Sequence, residues 1–205
     1  MKKSDILESY KQNQNILIKN NVYREEDEHS SCGVGLIASI KGLPSRDIVE
    51  MGIQALRVLY HRGAVDADGK TGDGAGIQIG IPQDFFKEQI ERSGNRPNEF
   101  PFGVGMIFLP RTNFEAQEKT RIIIESEIIN EGFKIYGWRH VPINTKIIGE
   151  KANATLPEIE QILIGNELYK NELEFDDKLY LVRKRIEKKI RAENINDFYI
   201  CSLSS

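Results

Sequence analysis

The sequence predicts a mixed fold of helices and sheet, either α+β or a doubly wound sheet, organised around a substantial core. Strand-like and helix-like segments alternate along the 205 residues, and a chain of this length buries about 70% of its unfolded surface. Hydrophobic residues make up 40% and charged residues 29%, a balance that excludes wholesale disorder. The mean hydropathy is −0.42, and no apolar run approaches the roughly 18 residues of a membrane span. The net charge of −3 gives no electrostatic reason to expect nucleic acid or an anionic membrane as a partner. Two cysteines, Cys32 and Cys201, cannot build a disulfide framework or a four-thiolate zinc site, so the chain reads as cytoplasmic.

Residues 1–31 read as a polar arm. Ile16, Leu17 and Ile18 form too short an apolar stretch for a signal-peptide core, and Tyr23-Arg-Glu-Glu-Asp-Glu-His-Ser30 has no apolar alternation. The composition then changes abruptly to Gly33-Val-Gly-Leu-Ile-Ala-Ser-Ile40, which predicts a buried strand beginning at Cys32. A helix follows. Pro44-Ser45 starts it, Asp47 suits its first turn, and Ile48, Met51, Ala55, Leu56 and Leu59 recur at helical spacing to pack on a sheet.

After a glycine-rich loop over 66–76, Ile77-Gln-Ile-Gly-Ile81 alternates as a strand and residues 83–93 form a short helix. Residues 102–109 predict a buried strand, 113–130 a helix rich in isoleucine, and 133–141 a strand with Trp138. Residues 159–165 predict a strand, 176–192 a basic amphipathic helix and 197–203 a last strand. The alternation breaks only between Val141 and Ile159, where strand follows strand. Because the last strand runs into Ser204-Ser205 without a cap, a truncated polypeptide is expected, with a short C-terminal edge strand as the alternative.

Four motif readings are weaker than their structural alternatives. Gly33-Val-Gly-Leu-Ile-Ala38 fits a dinucleotide fingerprint, but the fingerprint needs a strand before it and a helix opening on it. Asp66, Asp68 and Asp73 suggest a calcium loop, yet Lys70 takes a ligand position and no glutamate closes the loop. A solvated turn accounts for them. Thr71-Gly-Asp-Gly-Ala-Gly76 lacks the ending of a phosphate loop, so its glycines serve a tight backbone approach to a strand or ligand. Asn153-Ala-Thr155 is a chance sequon without a secretory signal.

Cys32 is the most informative residue. Isolated free cysteines are commonly small buried hydrophobes, and that is the alternative reading here. Its position between a polar arm and an apolar run allows it to become an N-terminus if the arm is cut after Ser31. The new α-amino group, with an ordinary pKa of about 7.7–8.0, would then lie beside the thiol and serve as its general base. Nucleophile and base would be one residue.

The runs His29-Ser-Ser-Cys-Gly-Val-Gly35, Leu59-Tyr-His-Arg-Gly-Ala64 and Lys70-Thr-Gly-Asp-Gly-Ala-Gly-Ile77 resemble the class II glutamine amidotransferase domain at the start of the glutamate synthase large subunit. The likeness continues through Tyr136-Gly-Trp-Arg139, Val141-Pro142, Lys178-Leu-Tyr-Leu-Val-Arg-Lys-Arg185 and Phe198-Tyr-Ile-Cys-Ser-Leu-Ser-Ser205. It implies an α+β fold, a four-layer αββα N-terminal-nucleophile hydrolase sandwich, incomplete at the C-terminus. It also implies a propeptide-like arm over 1–31 and the N-terminal part of the amidotransferase domain over 32–205.

By that resemblance Cys32 attacks the side-chain amide of glutamine, Arg62 pairs with the α-carboxylate, and residues 71–76 line the pocket, with Gly72, Asp73 and Gly74 at the substrate. A planar guanidinium suits a carboxylate, although Arg62 also reads as a surface cation at a helix end and Asp73 as a brace for its own turn. The family draws its oxyanion donors from an Asn-Gly motif beyond the point matching Ser205, so weak or absent activity is expected of this chain alone. No cofactor is expected in the chain; FMN and an iron–sulfur cluster are implied for the full-length enzyme. The implied partners are glutamine, the synthase domains of the parent chain, and a reductase subunit or ferredoxin. Cys201 is read as a strand-core cysteine. Two rivals stay open: a papain-like hydrolase using His61 or His140 as base, and a catalytically silent glutamine-binding or scaffold fragment.

Overall fold

The computed structural model describes residues 3–19, 33–59, 63–97 and 99–205. They fall into two compact units, Met1–Arg62 and Gly63–Ser205.

The first unit is helical. The arm contains helix α1 (Lys3–Lys19), which its weak apolar pattern did not announce. Helix α2 (Arg46–Val58) begins where expected: the Ser45 hydroxyl accepts the Asp47 N–H at 3.2 Å, satisfying one of the orphan donors of the first turn. Its half-buried stripe runs through Ile48, Gly52, Ile53 and Leu56, whereas Met51 is exposed, and no residue of the helix is fully buried.

Residues 33–40 correct the expectation of a buried strand. They pair with no strand among the described residues, and Val34 and Leu36 are more than nine-tenths exposed. The same holds in the second unit for residues 77–81, where Ile77 and Ile79 are exposed. The reason lies in the ladder. An apolar run becomes a strand only when an edge accepts its backbone N–H and C=O groups, and among the described residues neither run has such a partner.

Those strands belong to the second unit, which carries β1 (Gly103–Leu109), β2 (Lys134–His140), β3 (Glu158–Gly165) and β4 (Tyr199–Ser204) in the order β2-β3-β1-β4. All three ladders are antiparallel, which excludes the doubly wound parallel alternative for this sheet. β1 and β3 are the central pair, with Gly103 opposite Ile164 and Leu109 opposite Glu158. Both are largely buried, β1 as a continuous apolar run and β3 with Glu160 and Gln161 before its apolar Ile162–Ile164.

Helices α4 (Phe114–Asn130) and α6 (Glu172–Ala192) cover one face. Ile107, Leu109, Ile162, Ile164 and Ile200 meet Ile124, Ile128, Phe175, Leu179 and Ile186 there. Only part of the isoleucine run of α4 is used: Ile124 and Ile128 are fully buried while Ile122 and Ile129 face outward. Glu127 takes a buried place on the same stripe, compensated by Arg185 at 3.2 Å and Lys189 at 2.5 Å from α6. Helix α6 starts earlier than its apolar pattern indicates, because the Asn171 side chain caps it by accepting the Leu173 N–H at 3.0 Å.

On the opposite face α3 (Gln83–Arg92) sets Phe86 and Ile90 against Phe102, Val104, Tyr136 and Leu163. Beyond this cluster Met106, Phe108 and Ile159 are only partly covered, and Tyr199 is exposed. Cys201 is also exposed, which corrects the core reading: Ile200 and Leu203 both face the core because the register shifts between Ile200 and Ser202, leaving Cys201 as the extra, unpaired residue of a bulge. Between β2 and β3 lies a five-residue helix, α5 (Glu150–Ala154), where the sequence suggested only a connection.

Candidate active site

The glycine-rich segment at the start of the second unit forms a tight hairpin. Val65 and Gly72 make an isolated antiparallel bridge, and Asp66 N–H donates to the Thr71 carbonyl at 2.7 Å. Asp73 closes the hairpin twice. Its N–H donates to the Ala64 carbonyl at 3.2 Å, and its Oδ2 accepts the Ala64 N–H at 3.0 Å. Gly72 is required by the closure, since a Cβ there would lie 2.9 Å from the Ala64 carbonyl oxygen. Gly72, Asp73 and Gly74 thus sit together on the exposed outgoing arm of the hairpin, with the Asp73 carboxylate bracing its backbone.

The inner side of the hairpin is held by Asp68 and Thr71, both half-buried. Asp68 Oδ1 accepts the N–H groups of Lys70 at 2.9 Å and Thr71 at 2.6 Å, and its Oδ2 accepts the Thr71 hydroxyl. These bonds, the Thr71 hydroxyl first, hold the Asp68 carboxyl well below the usual carboxylate range. The three aspartates that suggested a calcium loop are therefore engaged within the chain, Asp66 by the Lys151 ammonium at 2.7 Å.

The low Asp68 value has a definite sign. The unfolded carboxyl takes up its proton first, near pH 3.9, so the contribution to stability is complete above about that pH and is lost as pH falls towards the folded value. We expect Asp68→Asn to lower Tm at neutral pH and to flatten the dependence of Tm on pH below about 4. Parallel Tm-versus-pH curves for the two proteins would contradict this role.

Among the described residues a second polar group stands on the sheet, where His140, Glu158 and Glu160 gather as metal-ligand types. His140 Nδ1 is 3.1 Å from both carboxylates. The buried Glu160 is already gripped by Arg121 of α4, through Nε at 3.0 Å and Nη2 at 2.8 Å. Bonding to Glu160 raises the Arg121 pKa despite partial burial. Fork-to-fork pairing of this kind neutralises the carboxylate that a cation would need, so the group is an ion-pair cluster that ties α4 to the sheet. His140, one of the bases considered for a papain-like site, belongs to this cluster.

Cys32, His61 and Arg62 lie outside the described residues, as do Tyr23 to Ser31. Of the sequence-derived site residues, the structure therefore brings together Gly72, Asp73 and Gly74. The residues missed at the sequence level are Asp68 as the hairpin's main acceptor and Gly149, whose backbone lies against Thr71. The signal for Asp68 was its spacing from Thr71, an Asx-type arrangement in which a short carboxylate caps N–H groups two and three residues on.

The class-II glutamine amidotransferase family matches residues 32–205. The glutamate synthase (NADPH) large chain of Azospirillum brasilense is 57% identical over 185 residues, which is 90% of this chain and 12% of that protein. The corresponding large chain of Bacillus subtilis is 40% identical over the same shares. The chloroplastic ferredoxin-dependent glutamate synthase of Oryza sativa subsp. japonica is 36% identical over 180 residues, 87% of this chain and 11% of that protein. The chain thus spans about an eighth of the length of these relatives. No helix among the described residues is long and apolar enough to cross a membrane.

Proposed function

The chain belongs to the class-II glutamine amidotransferases, and from that premise we propose that residues 32–205 form part of the glutaminase unit of a glutamate synthase. The observation that carries the reading is the family match that begins at Cys32, the residue at which the composition breaks from polar arm to apolar run.

In this reading residues 1–31 are removed and Cys32 becomes the N-terminus. Its sulfur attacks the side-chain carbonyl of glutamine, and the thiol proton passes through the α-amino group to the departing nitrogen. Ammonia leaves, a thioester remains, and water cleaves it to glutamate while the thiol is restored. Arg62 grips the substrate α-carboxylate, and Gly72, Asp73 and Gly74 line the pocket. The hairpin geometry supports that role, since Gly72 and Gly74 leave backbone accessible on its exposed outgoing arm.

The parent protein would deliver this ammonia to 2-oxoglutarate for reduction in its synthase domains, with electrons from a reductase subunit or ferredoxin, in the cytoplasm. FMN and an iron–sulfur cluster belong to that parent in this reading. The two cysteines of this sequence do not supply the four thiolates that such clusters take, and no step here passes through either group. The same reading assigns a four-layer αββα sandwich. The partly covered sheet face bearing Met106, Phe108, Ile159 and Tyr199 supports it, being the apolar face a second sheet would cover.

The experiment is to purify the full-length protein from cells, determine its N-terminus and intact mass, and measure ammonia release from glutamine. We expect Cys32 as the first residue of the active form. An active enzyme that retains residues 1–31 would overturn the N-terminal-nucleophile reading.

A further inference from the structure

We propose that the first turn of α5 is the anchor that holds the glycine hairpin in its binding geometry, making Asp68, Thr71 and Gly149 positioning residues for glutamine recognition. The proposal rests on the assignment of Gly72, Asp73 and Gly74 to the substrate pocket.

Each segment lacks something that the other supplies. Helix α5 has five residues, and its N-cap, Gly149, offers no side-chain cap of its own. A helix this short is not stable by itself, and its first N–H groups need partners. One of them is met in the hairpin. The Ala152 N–H donates to the Thr71 hydroxyl oxygen at 3.4 Å, across 81 residues of sequence. That hydroxyl in turn donates to Asp68 Oδ2, so one side chain closes both segments. The Lys151 ammonium adds a bond of 2.7 Å to each oxygen of Asp66, at the other side of the hairpin.

The hairpin needs such support. Gly69, Gly72, Gly74 and Gly76 carry a large backbone entropy, and the Val65–Gly72 bridge is isolated from the four-stranded sheet. Contact with α5 is closest at its N-cap. Gly149 is buried, and a Cβ there would lie 2.5 Å from the Thr71 backbone nitrogen and would also strike Thr71 Oγ1 and Asp68 Oδ2. Thr71 immediately precedes Gly72, so any shift of Thr71 is passed directly to the substrate-lining arm. Binding groups held in advance of the ligand save the ordering cost at the moment of binding.

The test uses the full-length protein with Thr71→Val, Thr71→Ser and Gly149→Ala. Valine keeps the shape of threonine and removes both hydrogen bonds, so Thr71→Val should raise the glutamine KM by roughly tenfold or more with a smaller change in kcat. Thr71→Ser, which keeps the hydroxyl, should restore KM to near the parent value. Gly149→Ala should act as Thr71→Val does where it folds. Hydrogen exchange at the Ala64 and Asp73 amides should accelerate in Thr71→Val while exchange in β1 and β3 stays the same. A folded Thr71→Val protein with unchanged KM would overturn the proposal, and so would unchanged exchange at those amides. Exchange separates this failure from that of the underlying reading: unchanged exchange at the Ala64 and Asp73 amides overturns the anchor itself, whereas accelerated exchange beside an unchanged KM overturns the placing of Gly72, Asp73 and Gly74 at the substrate.

Discussion

Replacing Cys32 with alanine in the full-length protein should lower glutamine hydrolysis by roughly 10⁴-fold or more, the scale seen when an enzyme loses its nucleophile. The size follows from the chemistry assigned to one residue. Its thiol, with an ordinary pKa of about 8.5, and its liberated α-amino group, at about 7.7–8.0, are close enough for efficient proton exchange near neutrality. Alanine keeps the amine but removes the atom that forms the thioester, so no covalent route remains. Serine keeps a nucleophile of much higher pKa that the same amine activates poorly, and it should be severely impaired as well. Ammonia release measured with each variant, beside intact mass to confirm that processing still occurs, decides the matter. Near-normal turnover in Cys32→Ala would mean that the nucleophile lies elsewhere.

The largest expected effect on stability comes from Phe175→Ala. Phe175 is fully buried in the first turns of α6, and its ring packs edge-on against Phe133 with centroids 5.1 Å apart. Truncating a buried phenylalanine costs about 3–5 kcal/mol, from lost transfer energy and from the cavity left behind. At this chain length each kcal/mol shifts the midpoint by about 2–4 °C, so a fall of roughly 6–20 °C should appear in thermal unfolding of the 205-residue chain. A fall of less than about 3 °C would mean that the helices collapse onto the vacated space, and that the α4–α6 layer is not rigidly packed.

These two cases show how differently site and core are written in a sequence. Strand β1 was legible because its run is apolar throughout, β3 through the apolar Ile162–Ile164 that follows its polar start, and α4 and α6 because their patterns extend over several turns. Which strands pair was not legible. Residues 33–40 and 77–81 carry strand-like composition, yet pairing depends on a free edge, and an edge is a property of the whole sheet. Glu127 and Glu160 look like solvated acids in the sequence; their cationic partners stand on another helix or strand. At the candidate site the motifs around Cys32, Arg62 and Gly72 were legible through resemblance to a family. The contact between Thr71 and Gly149 was not, because neither segment predicts the other and α5 is too short to have a period.

The order of the sheet also bears on how the chain is made. β1 pairs with β3, but its other neighbour is β4, with Val104 opposite Ser204, about a hundred residues later. At about 5–20 residues per second the ribosome needs roughly 5–20 s to cover that distance. Throughout that interval the free edge of Gly103–Leu109, a segment without a single charge, is open to any other nascent chain. A chaperone that shields β1 until β4 emerges would act within that interval.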